Sequence, residues 1–224
     1  MLRKLFSKNK VPASDRAGVP EIIGLRLGGA FELDPLRLRL LEPELVVENV
    51  ATTQFIEAVG EVRLDANSTV LRFYTDDEGY LEVLLEGGMQ EQHIADVKLW
   101  YFYDTVGIAS DTEWERALGQ VISQPSVAVD ERVFRRVWEG VTADDSPPVA
   151  MTETTWSQQG GIAQTDQFAM LYERAVSASV TEYCRLVGEE KMASAVVGDG
   201  GQLDRCLVTS TGFDLRSTDI DIIG

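Results

Sequence analysis

The sequence predicts an α+β fold that is β-rich, built from one or more largely antiparallel sheets with one or two helices. Short runs of β-branched and aromatic residues recur between Gly-, Ser- and Gln-rich stretches. Only one segment has convincing helical periodicity. Hydrophobic residues make up 44% of the 224 residues and charged residues 25%, which is ordinary for a globular protein with a core.

The N-terminal half contains several strand candidates. Gly28 and Gly29 lie between apolar stretches and indicate a turn. In Pro35–Leu41 the leucines alternate with arginines, and this period of two predicts a strand with one buried face. Glu44–Val50 is a further strand candidate, whereas Thr53–Leu64 is ambiguous and is most strand-like near its end.

A β-hairpin is the clearest local prediction. Thr69–Thr75 and Tyr80–Leu85 are both rich in β-branched and aromatic or other apolar residues, and a polar loop, 76–79, separates them. The later run Lys98–Thr105 contains four consecutive aromatic residues, Trp100 to Tyr103, which is typical of a strand covered on both faces.

The second half combines one helix with further strands. Asp111 or Thr112 can cap a helix that runs to about Ile122, and Glu131–Trp138 fits either a short helix or a strand. Four more runs are predicted strands: Met151–Trp156, Gln167–Arg174, Glu182–Val187 and Arg205–Thr211.

The chain organisation predicted from these patterns is a tail followed by one globular domain. Residues 1–20 form a basic amphipathic tail and linker, and residues 21–224 form the domain. The turn-rich stretch Asp144–Pro148 is the best internal boundary if there are two subdomains.

The net charge limits the classes of partner. Asp and Glu total 37 against 20 Lys and Arg, so the formal charge at pH 7 is −17. This sign disfavours binding of nucleic acid by the folded surface, because phosphate backbones are repelled. It favours basic proteins, metal cations and polyamines, although solubility alone is the simplest explanation.

The N-terminal tail has the opposite charge. Met1–Lys10 contains four basic residues and no acid. Its apolar residues have the spacing of one helical face, and the basic residues surround them: Leu2, Leu5 and Phe6, with Arg3, Lys4, Lys8 and Lys10. We expect these residues to contact an anionic membrane surface or a partner, at about 1 kcal/mol per basic residue on a membrane. The simpler alternative is a frayed terminus.

The compartment prediction from the residues is cytoplasmic. Charged residues interrupt the first ten positions, so they form no signal peptide, and no apolar stretch approaches the length of a transmembrane helix.

The candidate reactive groups point to no particular chemistry. His93 is the single histidine, so a catalytic triad or a histidine-rich metal site would need partners distant in sequence. Asp76, Asp77 and Glu78 offer carboxylates to a cation but lack EF-hand spacing, which favours a solvated hairpin tip. Cys184 and Cys206 are best interpreted as free thiols. We expect no catalytic residue, no metal and no cofactor, and lean towards a protein that is not an enzyme.

Five segments resemble the YjfK-type bacterial family of unknown function. They are Glu21–Ala30 (EIIGLRLGGA), Leu71–Asp77 (LRFYTDD), Val97–Thr105 (VKLWYFYDT), Pro147–Thr154 (PPVAMTET) and Cys206–Leu215 (CLVTSTGFDL). The resemblance implies a gene neighbourhood with a phage-shock-protein-A-like membrane-stress protein, small membrane proteins and a glutathionylspermidine-synthase-like ligase. By association, it implies a role at the inner face of the cytoplasmic membrane.

Three functions remain as hypotheses at this point. The first is a non-enzymatic adaptor of a membrane-stress system, which docks the phage-shock-protein-A-like protein or an anionic membrane. The second is a binder of a small cationic ligand such as a polyamine, with the aromatic run lining the pocket. The third is an enzyme that uses carboxylates, with or without a metal.

Overall fold

The computed structural model describes residues 18–138, 146–192 and 203–223 and confirms the predicted fold class. Among the described residues, strands pair antiparallel wherever their register is defined, and there are two short α-helices, α1 (Pro35–Leu41) and α2 (Asp111–Arg116). The strands are β1 (Ala30–Leu33), β2 (Thr53–Arg63), β3 (Ser68–Thr75), β4 (Gly79–Glu86), β5 (Ile94–Ile108), β6 (Ser126–Val129), β7 (Arg132–Arg136), β8 (Val149–Ser157), β9 (Ile162–Ser177), β10 (Val180–Met192), β11 (Leu203–Asp214) and β12 (Ile220–Ile223).

The chain divides into two compact units, each built from segments distant in sequence. Unit 1 comprises Met1–Tyr101, Glu153–Ala163 and Asp214–Gly224, and unit 2 comprises Phe102–Thr152 and Gln164–Phe213. Within the described part of the chain, no helix is both long and apolar enough to span a membrane.

Unit 1 is a sheet with the strand order β12-β1-β2-β3-β4-β5, and β8 also pairs with β2. The predicted hairpin is confirmed as β3 and β4, with Tyr74 opposite Tyr80. Its loop is three residues long, and Gly79 is needed because a Cβ there would lie 2.5 Å from the carbonyl oxygen of Trp100 on β5. The fully buried core side chains include Phe31, Ile56, Phe73, Leu81 and Trp100.

A buried ion cluster crosses this sheet. The guanidinium of Arg72 on β3 lies 3.0 Å from Glu82 on β4 and 3.4 Å from Glu153 on β8. Gly60 on β2 makes the approach of Glu153 feasible, because a Cβ there would lie 1.9 Å from its carboxylate oxygen. Burial disfavours the charged guanidinium, but attraction by the carboxylates, Glu153 foremost, outweighs burial and raises the pKa of Arg72.

Unit 2 has the strand order β5-β11-β10-β9-β7-β6, with α2 beside the sheet. Trp114 of α2 packs edge-on against Phe168 of β9, and its ring fits over Gly188 of β10, where a Cβ would lie 2.9 Å away. Arg205 of β11 lies over the same indole ring, 5.3 Å from its centroid. These contacts fix α2 on unit 2.

The strand predicted at Pro35–Leu41 is wrong, because this segment is helix α1. The carboxylate of Asp34 caps the helix by accepting from the backbone N–H of Leu36 at 2.8 Å. Pro35 follows the cap at the first helical position, where its missing N–H carries no penalty. Leu38 and Leu41 are buried, which is the spacing of a helical face and not of a strand.

The strand predicted at Glu44–Val50 is also absent. Asn49 adopts a φ of +61°, which interrupts an extended run, and the N–H of Val50 donates to the Glu42 carboxylate at 2.7 Å. The ambiguous segment Thr53–Leu64 is strand β2, and the segment that fitted either helix or strand, Glu131–Trp138, contains strand β7.

The helix predicted to run to Ile122 is shorter, since α2 ends at Arg116 and a π-helical turn, Ala117–Val121, follows it. The four strands predicted in the second half are confirmed within β8, β9, β10 and β11.

Replacing Arg72 with leucine is predicted to lower the free energy of unfolding by about 3–5 kcal/mol, because Glu82 and Glu153 lose their buried counter-ion. Both carboxylates should then have a folded pKa above the unfolded value. The free energy of unfolding of the variant is therefore highest at low pH, where both carboxylates are protonated, and it falls as the pH rises through their folded pKa.

Urea unfolding at pH 5 and pH 7.5 measures this effect, and the deficit should be larger at pH 7.5. Arg63→Leu is the matched control, since Arg63 lies on β2 with an exposed side chain 3.4 Å from Glu61 and should change stability little. A deficit that is the same at both pH values would contradict the buried-carboxylate explanation.

Candidate functional site

The predicted membrane or partner contacts lie outside the described residues. These are Leu2, Arg3, Lys4, Leu5, Phe6, Lys8 and Lys10. They remain a prediction from the sequence, and the other candidate groups can be located.

His93 lies in a 3-10 turn, Glu91–His93, that leads into β5. Its Nδ1 accepts from the backbone N–H of Gln90 at 3.3 Å, and the ring packs on Gly88, where a Cβ would lie 2.6 Å away. This is a local turn contact that orders the loop before β5.

The acidic turn at 76–78 fastens the start of β2. Asp77 Oδ2 accepts from the backbone N–H of Ala51 and from the side-chain amide of Gln54, both at 2.9 Å, and from the hydroxyl of Tyr101 at 3.1 Å. Burial and the neighbouring Asp77 carboxylate raise the pKa of Tyr101. Asp76 and Glu78 are exposed, as expected of a solvated hairpin tip, while the half-buried Asp77 also ties the turn to the segment that leads into β2.

Both cysteines are free thiols, as predicted. Cys184 lies opposite Thr211 and Cys206 opposite Glu189, so the two are five positions apart along paired strands, roughly 16 Å and beyond disulfide reach. Burial raises the pKa of Cys184 to about 12 and that of Cys206 to about 11. Neither is therefore a thiolate nucleophile at neutral pH.

The aromatic run divides between buried and exposed positions. Trp100 and Tyr101 are buried, and Trp100 stacks with Tyr80 at 6.3 Å between ring centroids. Tyr103 is exposed, and its hydroxyl donates to Asp130 at 2.7 Å. Within the described ranges, no three His, Cys, Asp or Glu side chains are grouped so that they could hold a metal ion.

The feature that stands out is an exposed face of unit 1 at strands β12, β1 and β2, here called the corner face. Ala30 lies opposite Ile223 on β12 and opposite Phe55 on β2, so the three form one apolar row on one side of the sheet. Phe55 is 54% exposed and Ile223 44% exposed. Exposed aromatic and aliphatic residues in one row are typical of an interaction surface.

An acidic row runs beside the apolar row. Glu32 on β1 lies opposite Asp221 on β12 and Thr53 on β2, and both acids are exposed. Glu57, two residues beyond Phe55 on β2, is exposed as well. Among the described residues, no cation forms an ion pair with Glu32 or Asp221. Like charges directly opposite on neighbouring strands are destabilising, so the fold retains a repulsion that a basic partner would relieve.

The backbone of Phe55 is rigidly held. Its N–H donates to Asp76 Oδ1 at 2.9 Å, and its carbonyl accepts from the N–H of Asp76 at 3.1 Å. The acidic turn therefore fixes the backbone that carries the exposed ring.

Strand β12 ends the order of unit 1 and pairs only with β1 in the part of the chain that the structure describes. The N–H of Leu33 donates to Thr52 on the β2 side, and the N–H of Asp34 donates to Asp219 on the β12 side. Backbone groups alternate sides along a strand. Those of Asp221 and Ile223 therefore face β1, and those of Ile220 and Ile222 face the outer edge.

A strained turn packs against a side chain of β12. Ile22 and Leu25 form a two-residue hairpin through reciprocal backbone hydrogen bonds of 3.2 and 2.8 Å. The turn residues are Ile23 at φ +47° and Gly24 at φ +92°, and Gly24 packs on the side chain of Ile222. A β-branched residue in the left-handed region is a genuine outlier, and Ile23 is also 42% exposed. Strain of this kind concentrates at functional positions.

Sequence reasoning missed the corner face. Phe55 lies in the segment of ambiguous pattern, and the pairing of Ala30 with Ile223 joins segments about 190 residues apart in sequence. The Ile23-Gly24 turn had a signal, since glycine in the second position is favoured in such hairpins.

These observations define a β-rich α+β protein whose notable feature, in the described ranges, is an exposed apolar and acidic face. The chain belongs to the family described as Protein of unknown function (DUF2491), whose model matches residues 1–221. It is similar to Uncharacterized protein YjfK of Escherichia coli (strain K12), with 28% identity over 223 residues, 99% of this chain and 98% of that protein. The resemblance to the YjfK-type family is thus confirmed. No solved structure matches the chain.

Replacing Ile23 with asparagine is predicted to raise the free energy of unfolding by about 1 kcal/mol, because asparagine tolerates the left-handed region far better than a β-branched residue. Thermal or urea unfolding of the full chain measures it. Ile162→Asn is the matched control, since Ile162 is also an exposed isoleucine but has no positive φ, and it should bring no gain. A loss of stability in Ile23→Asn would show that the turn is not strained.

Proposed function

We propose that this protein is a non-enzymatic adaptor that docks a basic protein partner on the corner face of unit 1. The observation that carries the proposal is the apolar row Phe55–Ala30–Ile223, whose two outer members are exposed, lying beside the acidic pair Glu32 and Asp221. Apolar contact would supply affinity, and the acids would select a partner of opposite charge and speed its association.

The surrounding residues support a docking role over a chemical one. Asp76 and Asp77 are engaged by backbone and side-chain donors, and burial keeps both thiols protonated. The acids of the corner face, in contrast, lie on the sheet surface beside an aromatic ring. That arrangement suits a cationic side chain seated against Phe55.

The adaptor is proposed to act at the cytoplasmic side of the inner membrane, in a membrane-stress system. Two features of the sequence support this part: the resemblance to the YjfK-type family and the basic amphipathic segment Met1–Lys10. The partner proposed for the corner face is then the phage-shock-protein-A-like protein, and the N-terminal segment would contact anionic lipid.

Photo-crosslinking is predicted to capture the partner from position 55. A photoreactive phenylalanine analogue replaces Phe55 in the full chain, and a second variant carries it at Ile162, an exposed residue of unit 1 outside the corner face. In the bacterial host, position 55 should give one dominant adduct whose crosslinked segment is basic, and position 162 should not give it.

Charge reversal supplies the second arm of this experiment. Combining Glu32→Lys and Asp221→Lys with the analogue at position 55 should reduce the adduct about tenfold, because attraction becomes repulsion. An adduct that survives charge reversal, or that also forms from position 162, would refute docking on the corner face. Identification of the crosslinked protein as the phage-shock-protein-A-like protein would support the membrane-stress assignment. Identification of a different basic protein would refute that assignment and leave docking on the corner face supported.

Liposome sedimentation tests the lipid contact separately. The full chain should sediment with vesicles containing anionic phosphatidylglycerol and much less with neutral phosphatidylcholine vesicles, and binding should fall as salt is raised. Deletion of Met1–Lys10 should abolish it. The corner-face variant Glu32→Lys/Asp221→Lys is the control and should still sediment. If the form without Met1–Lys10 sediments as well as the full chain, the proposed contact between this segment and lipid is refuted.

A further inference from the structure

From the edge geometry of unit 1 we infer that the partner binds by strand addition: an extended basic segment pairs antiparallel with β12 and extends the sheet beyond its last strand. This inference rests on the proposed function and specifies how the same surface recognises its partner. It concerns the backbone edge of β12, whereas docking on the corner face by itself needs only side chains.

The free backbone groups are the first step of the argument. Among the described residues, the backbone N–H and C=O groups of Ile220 and Ile222 have no partner strand, while those of Asp221 and Ile223 are directed at β1. An unpaired edge is a ready template for another strand. Residues 220–223 contain no proline or glycine that would block the edge.

The side chains of β12 define what the added strand must carry. Directly opposite residues share a face of the sheet, so a residue opposite Asp221 neighbours that carboxylate, with Glu32 one strand further in the same row, and should be basic. A residue opposite Ile223 extends the apolar row and should be apolar. Residues opposite Ile220 and Ile222 lie on the other side of the sheet, where both isoleucines are half-buried, and should be apolar as well.

The recognised pattern follows from this register. Written from its N-terminus, an antiparallel partner segment reads apolar, apolar, basic, apolar, opposite Ile223, Ile222, Asp221 and Ile220 in turn. Antiparallel pairing is taken because it is slightly more stable per residue than parallel pairing and continues the arrangement of the sheet.

Peptides with selective backbone methylation test the inference on the unmodified full chain. The probe is a capped peptide of sequence Ser-Val-Val-Lys-Val-Ser, titrated to millimolar concentration and followed by amide NMR. N-methylation of the residues opposite Ile222 and Ile220, the third and fifth, should abolish binding, because it removes the N–H groups that donate to β12. N-methylation of the second and fourth should leave binding within about twofold, because those N–H groups point away.

Two further readouts follow from the same pairing. Hydrogen exchange of the Ile220 and Ile222 amides should slow on binding, while that of Asp221 and Ile223 changes little. The variant Glu32→Lys/Asp221→Lys should lose about tenfold in affinity for the lysine peptide and gain for the matching glutamate peptide.

The outcomes separate this inference from the proposed function. Equal effects of the two methylation patterns, or no binding of the lysine peptide at millimolar concentration, would overturn strand addition. The charge-dependent crosslink at position 55 would in that case still support docking by side chains alone. If charge reversal no longer changes the crosslink at position 55 while the two N-methylated peptides still differ in binding, docking on the corner face is refuted and strand addition at β12 is supported.

Discussion

The architecture of unit 1 depends on a charge that is shared across strands distant in sequence. Arg72 on β3 is buried between Glu82 on β4 and Glu153 on β8, and the hydroxyl of Tyr74 donates to Glu153 at 2.8 Å. A shifted register of any of these strands would bury an unpaired charge, which costs several kcal/mol. The cluster therefore fixes which strand lies where, and the absence of a side chain at Gly60 is what allows β8 to take part.

The corner face lies in the same unit but follows a different physical logic. In the interior, both acids of the cluster are matched by the guanidinium of Arg72, and Glu153 also accepts from the hydroxyl of Tyr74. On the corner face, Glu32 and Asp221 face each other across adjacent strands, and Phe55 stands exposed on a backbone that Asp76 holds in place. The buried ion cluster stabilises unit 1, so the fold tolerates an unfavourable pair of like charges on its surface. That surface is where a partner would bind.

The parts of the fold that could be predicted from the sequence are those determined by residues close together in the chain. The hairpin of β3 and β4 was recognisable because both strands and their polar loop are contiguous. The strand prediction for helix α1 was wrong because it followed the alternating leucines. Asp34 as a cap and Pro35 at the first helical position are the local signals that indicate a helix there. The corner face depends on the register of β12 and β2 against β1, and pairing between such distant segments leaves no local pattern.

The exposed edge of β12 has a consequence for the protein alone as well as for its complexes. Open strand edges are where copies of a protein join into aggregates, and natural sheets protect them by placing charged residues there. Asp221 lies at the middle of the edge strand, so two copies that paired through β12 would bring like charges together. The same carboxylate that would attract a basic segment thus acts as a gatekeeper against self-assembly, and salt would weaken both effects together.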